Sequence, residues 1–135
     1  MKVPHLQNRV VALRADNGKE LWRYDAPSWD HFGAAGDEEG FVERSKAFRS
    51  GENLPVCLPD LQGIPVINSY EGRVYMSSSH DGNLTVLEDV NKDGVVQQNE
   101  TVSFAPGVAF LNSPSMAPGL LVAAPCWGPT YVWTA

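Results

Sequence analysis

IPVINSYEGRVYMSSSHDGNLTVLE, residues 64–88, contains three short apolar runs separated by two turn sequences. Gly, Asn, Asp and Ser fill both turns, and these residues favour chain reversal. Short apolar runs between such turns are typical of antiparallel strands. The pattern predicts strands at Ile64–Asn68, Arg73–Ser78 and Leu84–Glu88, and a fourth strand at Thr101–Ala105 after a polar loop.

Similar series of strands and turns occur on both sides of this segment. Upstream, strands are predicted at Arg9–Ala15 and Glu20–Asp25, joined at Asp16–Lys19 by a type I′ turn that Asn-Gly favours. Downstream, the predicted strands are Ser113–Ala117, Leu120–Ala124 and Thr130–Thr134. VVAL, LTVL and TYVW occupy the same place in each series, which indicates an internal repeat. A repeated unit of four antiparallel strands is the blade of a β-propeller.

The first hairpin resembles the tryptophan-docking repeat of PQQ-like (quinoprotein-type) β-propellers, A-x-D-x-x-T-G-x-x-x-W. Ala12, Gly18 and Trp22 match, whereas Arg14 replaces the Asp and Asn17 replaces the Thr. GRVYMSSSHDGNLTVLED and PGLLVAAPCWGPTYVW resemble further units of this kind. The resemblance implies an all-β fold of antiparallel four-stranded PQQ-like blades, incomplete in this chain and interrupted by a long loop insertion. It also implies that the Trp packs against a neighbouring blade.

The resemblance divides the chain into four parts. Residues 1–25 form the end of one blade, 26–62 an insertion, 63–106 a complete blade with a calcium-type loop, and 107–135 an incomplete blade. The insertion, with a short helix predicted at 41–48, is either functional or a flexible lid, because ordinary connections are shorter. The chain is either a piece of a longer propeller, which we favour, or completes a ring with other chains.

Composition and charge exclude some function classes. The 135 residues are 43% hydrophobic, which is enough for a core, and a net charge of -6 argues against a nucleic-acid binder. No apolar run of about 18 residues is present, so we expect a chain that is not inserted in a membrane, although a membrane complex is compatible as a partner.

Residues 101–135 contain no Asp, Glu, Lys or Arg. Exposed surfaces rarely lack charge over such a length, because charged side chains are most easily accommodated there. Two interpretations stay open. The segment either forms central strands of a β structure, or it presents a face that a protein partner or further propeller blades cover.

DVNKDGVVQQNE, residues 89–100, fits D-x-[DN]-x-[DN]-G-x5-E, the calcium loop of an EF-hand. A hard cation needs several converging oxygens, and this spacing supplies them. The predicted ligands are side chains of Asp89, Asn91 and Asp93, the Val95 carbonyl, Gln97 through water, and a bidentate Glu100. The flanks read as strands, as in the DxNxDG calcium-type loops that join strands in some propellers. The alternative is an Asx-rich turn that binds no ion.

The sequence contains no complete catalytic constellation. Cys57 and Cys126 are candidates for a disulfide but lack a Cys–His signature. Ser77–Ser79 precede His80 without a nucleophile elbow. His31 lies among acidic residues that we interpret as a solvated loop rather than a metal site.

Three functions are compatible with these observations. We prefer a non-catalytic PQQ-like propeller segment that serves as a structural or protein-interaction subunit of a larger assembly and is stabilised by calcium. One alternative is a fragment of a PQQ-dependent dehydrogenase. PQQ is disfavoured because such enzymes share an adjacent cysteine pair, whereas Cys57 and Cys126 are far apart in sequence. The other alternative is a calcium-binding adhesion domain, which would favour an extracytoplasmic or lumenal location.

Overall fold

The structure is a computed structural model that describes residues 5–37, 40–52, 63–110 and 112–134. The described residues form nine strands and one α-helix. The elements are β1 (Arg9–Leu13), β2 (Glu20–Asp25), α1 (Phe41–Arg49), β3 (Val66–Asn68), β4 (Arg73–Ser77), β5 (Leu84–Leu87), β6 (Thr101–Phe104), β7 (Ser115–Ala117), β8 (Leu120–Ala123) and β9 (Tyr131–Thr134).

The strands form three antiparallel sheets in chain order. Sheet A contains β1 and β2, sheet B has the order β3-β4-β5-β6, and sheet C has the order β7-β8-β9. The protein is therefore mostly β, as the sequence predicts. Every predicted strand is present, with ends that differ by at most two residues, and the predicted helix is present as α1.

The turn of the first hairpin differs from the prediction. A type I′ turn needs positive φ at both central residues, but among the described non-glycine residues only Lys92 has positive φ. Gly18 alone supplies the left-handed conformation, with φ of 70°. The Asn17 side chain instead accepts a hydrogen bond from the Lys19 backbone N–H at 2.9 Å, forming a local turn of its own. The predicted type I′ turn is thus wrong, although the hairpin is present.

Sheet A packs against one face of sheet B. Side chains alternate between the two faces of a strand, so Val74 and Met76 of β4 point to the same side. The buried cluster on this side is Tyr24, Ala26, Val74, Met76, Leu87 and Val96, with Val10 and Trp22 packed against it. Trp22 therefore contacts a cluster that includes residues of the next sheet along the chain.

Sheet C packs against the opposite face of sheet B. Tyr75 and Leu84 of sheet B are buried there with residues of sheet C and its preceding loop. The cluster is Tyr75, Leu84, Phe110, Leu121 and Ala123, with Val86, Phe104, Met116, Tyr131 and Trp133 packed against it. The ring of Phe104 lies edge-on to Tyr131 and Trp133, with centroid distances of 4.8 and 5.1 Å. The central strands of sheet B, β4 and β5, are thus covered on both faces.

Part of the insertion, residues 33–37, packs against the rest of the chain, whereas Asp30, His31 and Phe32 before it are exposed. Ala34 and Asp37 are fully buried, and the Ala35 backbone N–H donates to the His80 carbonyl at 2.6 Å. The buried Asp37 carboxylate accepts a hydrogen bond from Arg44 of α1. This corrects the expectation of a solvated acidic loop at Asp37, whereas Asp30 and His31 are exposed as expected. The physical reason is that the arginine partner and the nearby turn replace water around the carboxylate.

Candidate calcium loop

The candidate loop, residues 89–100, joins β5 to β6. In its first part, a side chain forms a hydrogen bond with the nearby backbone: the Asn91 side-chain oxygen accepts from the Asp93 N–H at 2.8 Å. Gly94 has φ of 88°, a left-handed conformation that glycine adopts readily and that lets the chain turn sharply, and Lys92 has φ of 61°. The flanks are strands rather than EF-hand helices, apart from a short 3-10 turn at Gln98–Glu100.

Two of the predicted carboxylate ligands are engaged in closing the loop. Asp93 accepts from the Val95 N–H at 2.8 Å and from the side-chain amides of Asn91 and Gln97 at 3.0 and 2.9 Å. Glu100 accepts from the backbone N–H groups of Asn91 and Gln97, both at 3.0 Å. The structure therefore brings Asn91, Asp93, Gln97 and Glu100 into one hydrogen-bonded network around the loop.

Asp89 differs from the other predicted ligands. One of its carboxylate oxygens, Oδ2, accepts from the Gly94 N–H at 3.1 Å. The other, Oδ1, is buried and has no hydrogen-bond partner among the described residues. A buried polar oxygen without a partner calls for a ligand such as an ion or water. The donor set consists entirely of oxygens, which suits calcium.

The carboxylates of the loop are not gathered at one point. No group of three or more His, Cys, Asp or Glu side chains among the described residues is placed to hold a metal ion. Because Asp93 and Glu100 point at backbone N–H groups, both would have to rotate toward a cation. The residue chemistry and the Asp89 oxygen thus fit calcium, whereas the carboxylate positions are those of a loop closed by its own hydrogen bonds.

The loop also contacts sheet A, a feature that sequence reasoning missed. Arg23 of β2 donates its N–H to the Gly94 carbonyl at 3.1 Å and accepts from the Val96 N–H at 2.8 Å. Val96 is buried in the cluster between sheets A and B. The apolar pair Val95–Val96 in an otherwise polar loop is a local signal that part of the loop is buried. It does not identify the strand that the loop contacts. The loop therefore links sheet A to sheet B.

Tyr24 strengthens this link. Its hydroxyl accepts a hydrogen bond from the Gln98 side-chain amide at 3.4 Å. Burial raises the pKa of Tyr24, an effect that the Gln98 hydrogen bond opposes and the charge of Asp81 reinforces. The hydroxyl consequently stays neutral across the physiological range.

The remaining sequence candidates lie elsewhere. His80 is fully buried in the turn before β5, and His31 lies 4.2 Å from the Trp29 ring, centroid to centroid. Cys126 is disulfide-bonded, whereas the predicted partner, Cys57, lies outside the described residues. Sequence reasoning missed Arg44. Its side chain binds the Asp37 carboxylate, and its Cζ atom lies over the Trp127 ring, 5.2 Å from the ring centroid. None of these groups belongs to the calcium-type loop.

Comparison with known proteins gives no relative for this chain. No family model, curated protein or solved structure matches it. Within the described residues, no helix is both long and apolar enough to cross a membrane.

Proposed function

We propose that the chain is a non-catalytic, PQQ-like propeller segment that serves as a structural or protein-interaction part of a larger assembly. The observation that carries the proposal is the burial of the central strands of sheet B, β4 and β5, on both faces, by sheet A before it and sheet C after it in the chain. An antiparallel sheet commonly has one packed and one solvated face. Successive antiparallel sheets that cover one another in chain order are the arrangement of propeller blades.

The outer surfaces of the stack support an interaction role. On the outward face of sheet A, Arg9 forms an ion pair with Asp25. The hydrogen bond from Arg9 lowers the pKa of the Asp25 carboxyl, which keeps this face charged. On sheet C, the outward face contains no charge, and Leu120 and Val132 are 43% and 60% exposed. Sheet C thus has one face buried against sheet B, while its other face is suited to a further blade or a partner protein.

The proposal predicts that a charge on the outward face of sheet C reduces association. We expect the wild-type chain to self-associate with rising concentration, because that face is apolar, and Val132→Glu to remain monomeric. Light scattering after gel filtration measures both masses. Val42→Glu is the matched control, since Val42 is 63% exposed on α1. A wild-type chain that is monomeric at every concentration, or a Val132→Glu variant that associates equally well, would contradict the proposal.

A second role, calcium binding by residues 89–100, is favoured by the buried Asp89 Oδ1. When bound, calcium would supply positive charge for this oxygen and for the carboxylates of Asp93 and Glu100. The side chain of Asn91, the carbonyl of Val95 and a water on Gln97 complete the predicted ligand set. Because the loop bonds to β2 through Arg23, the ion would stabilise the contact between sheets A and B.

Calcium is expected to stabilise the chain by about 2.7 kcal/mol when its free concentration is about one hundred times Kd. Asp89→Asn should remove most of this gain, because a neutral amide replaces the buried carboxylate. Thermal unfolding with calcium and with a chelator measures the effect. Asp81→Asn makes the same chemical change in a turn outside the loop, where Asp81 accepts from the Asn83 N–H, and should retain the gain. An equal gain in the two variants, or none in the wild type, would exclude this role.

A further inference from the structure

Two places in the sequence fit Asn-x-Thr, the acceptor motif for N-linked glycosylation. They are Asn83-Leu84-Thr85 and Asn99-Glu100-Thr101. The reaction joins a sugar to the asparagine side-chain amide, and the motif requires a hydroxyl two residues later. Because the glycan is bulky and hydrated, it has to lie outside the folded chain. The positions of the side chains therefore distinguish the two motifs.

The first motif continues into a buried strand. Asn83 is only partly exposed, and Leu84 and Thr85 are the first two residues of β5, both buried. The Thr85 hydroxyl forms a hydrogen bond with the Ser103 hydroxyl of β6 at 3.0 Å. In the folded chain the hydroxyl that the motif requires is therefore buried, which makes Asn83 a poor acceptor.

The second motif lies on the surface of the loop between β5 and β6. Asn99 is exposed within the short 3-10 turn Gln98–Glu100, and Thr101 is the partly exposed first residue of β6. The Thr101 hydroxyl donates a hydrogen bond to the Gln98 carbonyl at 2.9 Å, on the outside of the loop. Both side chains that the motif requires are thus accessible.

Asn99 takes no part in closing the loop. Its neighbours Gln97, Gln98 and Glu100 all hold the loop through side-chain hydrogen bonds. Among the described residues, the Asn99 side chain forms no hydrogen bond or ion pair. A glycan on its amide would therefore replace no contact of the loop, and Asn99 is not one of the predicted calcium ligands.

The disulfide indicates the compartment that this modification needs. Cys126 is disulfide-bonded. Disulfides form and persist in oxidising compartments such as the lumen of the endoplasmic reticulum, whereas cytosolic thiols are kept reduced. N-linked oligosaccharides are added in that same lumen. The disulfide and the exposed acceptor motif therefore support the same location independently of each other.

We propose that Asn99 is an N-glycosylation site. The donor is an oligosaccharide joined to a lipid through a diphosphate. A bond forms between Nδ2 of Asn99 and the anomeric carbon of the sugar, and the bond from that carbon to the diphosphate breaks. The lipid diphosphate leaves, and the amide gives up one proton. The site does not depend on the proposed function, and its glycan would keep partner proteins away from the surface around Asn99.

The test expresses the full chain behind a secretory signal sequence in mammalian cells, collected from cells and medium together. A reference Asn-Gly-Thr motif in a flexible Gly/Ser tail after residue 135 reports that the chain has reached the lumen. We expect a gel mobility shift that peptide N-glycosidase reverses, and peptide mass spectrometry should locate a glycan on Asn99. Asn99→Gln should lose this glycan, whereas Asn83→Gln, the same chemical change in the other motif, should keep it.

The role of Thr101 gives a second comparison. Thr101→Ala removes the hydroxyl and should abolish modification of the intact Asn99, whereas Thr101→Ser retains a hydroxyl and should preserve it. Chains that carry a glycan on the tail but none on Asn99 would overturn the proposal. Occupancy of Asn83 equal to or above that of Asn99, or an Asn99 glycan that persists in Thr101→Ala, would also overturn it.

Discussion

Leu87→Ala is expected to lower the free energy of unfolding by about 2–5 kcal/mol. Leu87 is fully buried between sheets A and B, where it belongs to the cluster that contains Tyr24 and Met76. Its truncation leaves a cavity at the centre of that interface, which neighbouring strands cannot fill without shifting. Chemical denaturation followed by circular dichroism measures the change.

The matched control is Leu13→Ala, because Leu13 is 57% exposed at the end of β1. The same chemical change there should alter the free energy of unfolding by no more than about 0.5 kcal/mol. If Leu87→Ala were as mild as Leu13→Ala, sheet A would not pack on sheet B as described.

Phe110→Ala is expected to cost about 3–5 kcal/mol, because it removes the largest fully buried side chain from the opposite interface. Phe110 packs with Leu84 of sheet B and Leu121 of sheet C, and its N–H donates to the Ser78 carbonyl at 2.9 Å. Denaturant unfolding again measures the loss.

Phe48→Ala provides the matched control, since Phe48 is 67% exposed on α1. A loss for Phe110→Ala that equals the loss for Phe48→Ala would contradict the packing of sheet C on sheet B. Large losses for both Leu87→Ala and Phe110→Ala would mean that sheet B needs cover on both faces, as a propeller blade does.

Much of the strand order could be predicted because its signals are local. The turn residues between Asn68 and Arg73 and between Ser77 and Leu84 set the ends of the central strands. Alternation then assigns Leu84 and Leu87, three residues apart, to opposite faces of β5. The local pattern could not say which sheet covers each face, because that depends on contacts between distant parts of the chain.

The spacing of the candidate loop could be read from the sequence, but its surroundings could not. Spacing alone predicts Asp89, Asp93 and Glu100 as oxygen ligands. It does not show that Arg23 would bond to the loop, because the two are more than 60 residues apart and the contact exists only once the sheets have packed. The burial of Asp37 escaped prediction for the same reason, since it depends on the placement of Arg44 by α1.

The most direct test of the central claim is nuclear Overhauser contact from the methyl groups of Leu84 and Leu87 in the full chain. Both leucines lie on β5, and the stacked arrangement predicts that they meet different sheets. Leu87 should show contacts to Tyr24 of sheet A, and Leu84 should show contacts to Leu121 of sheet C. If both leucines contacted the same sheet, or if either faced solvent, sheet B would not be a blade between two others and the proposed function would lose its basis.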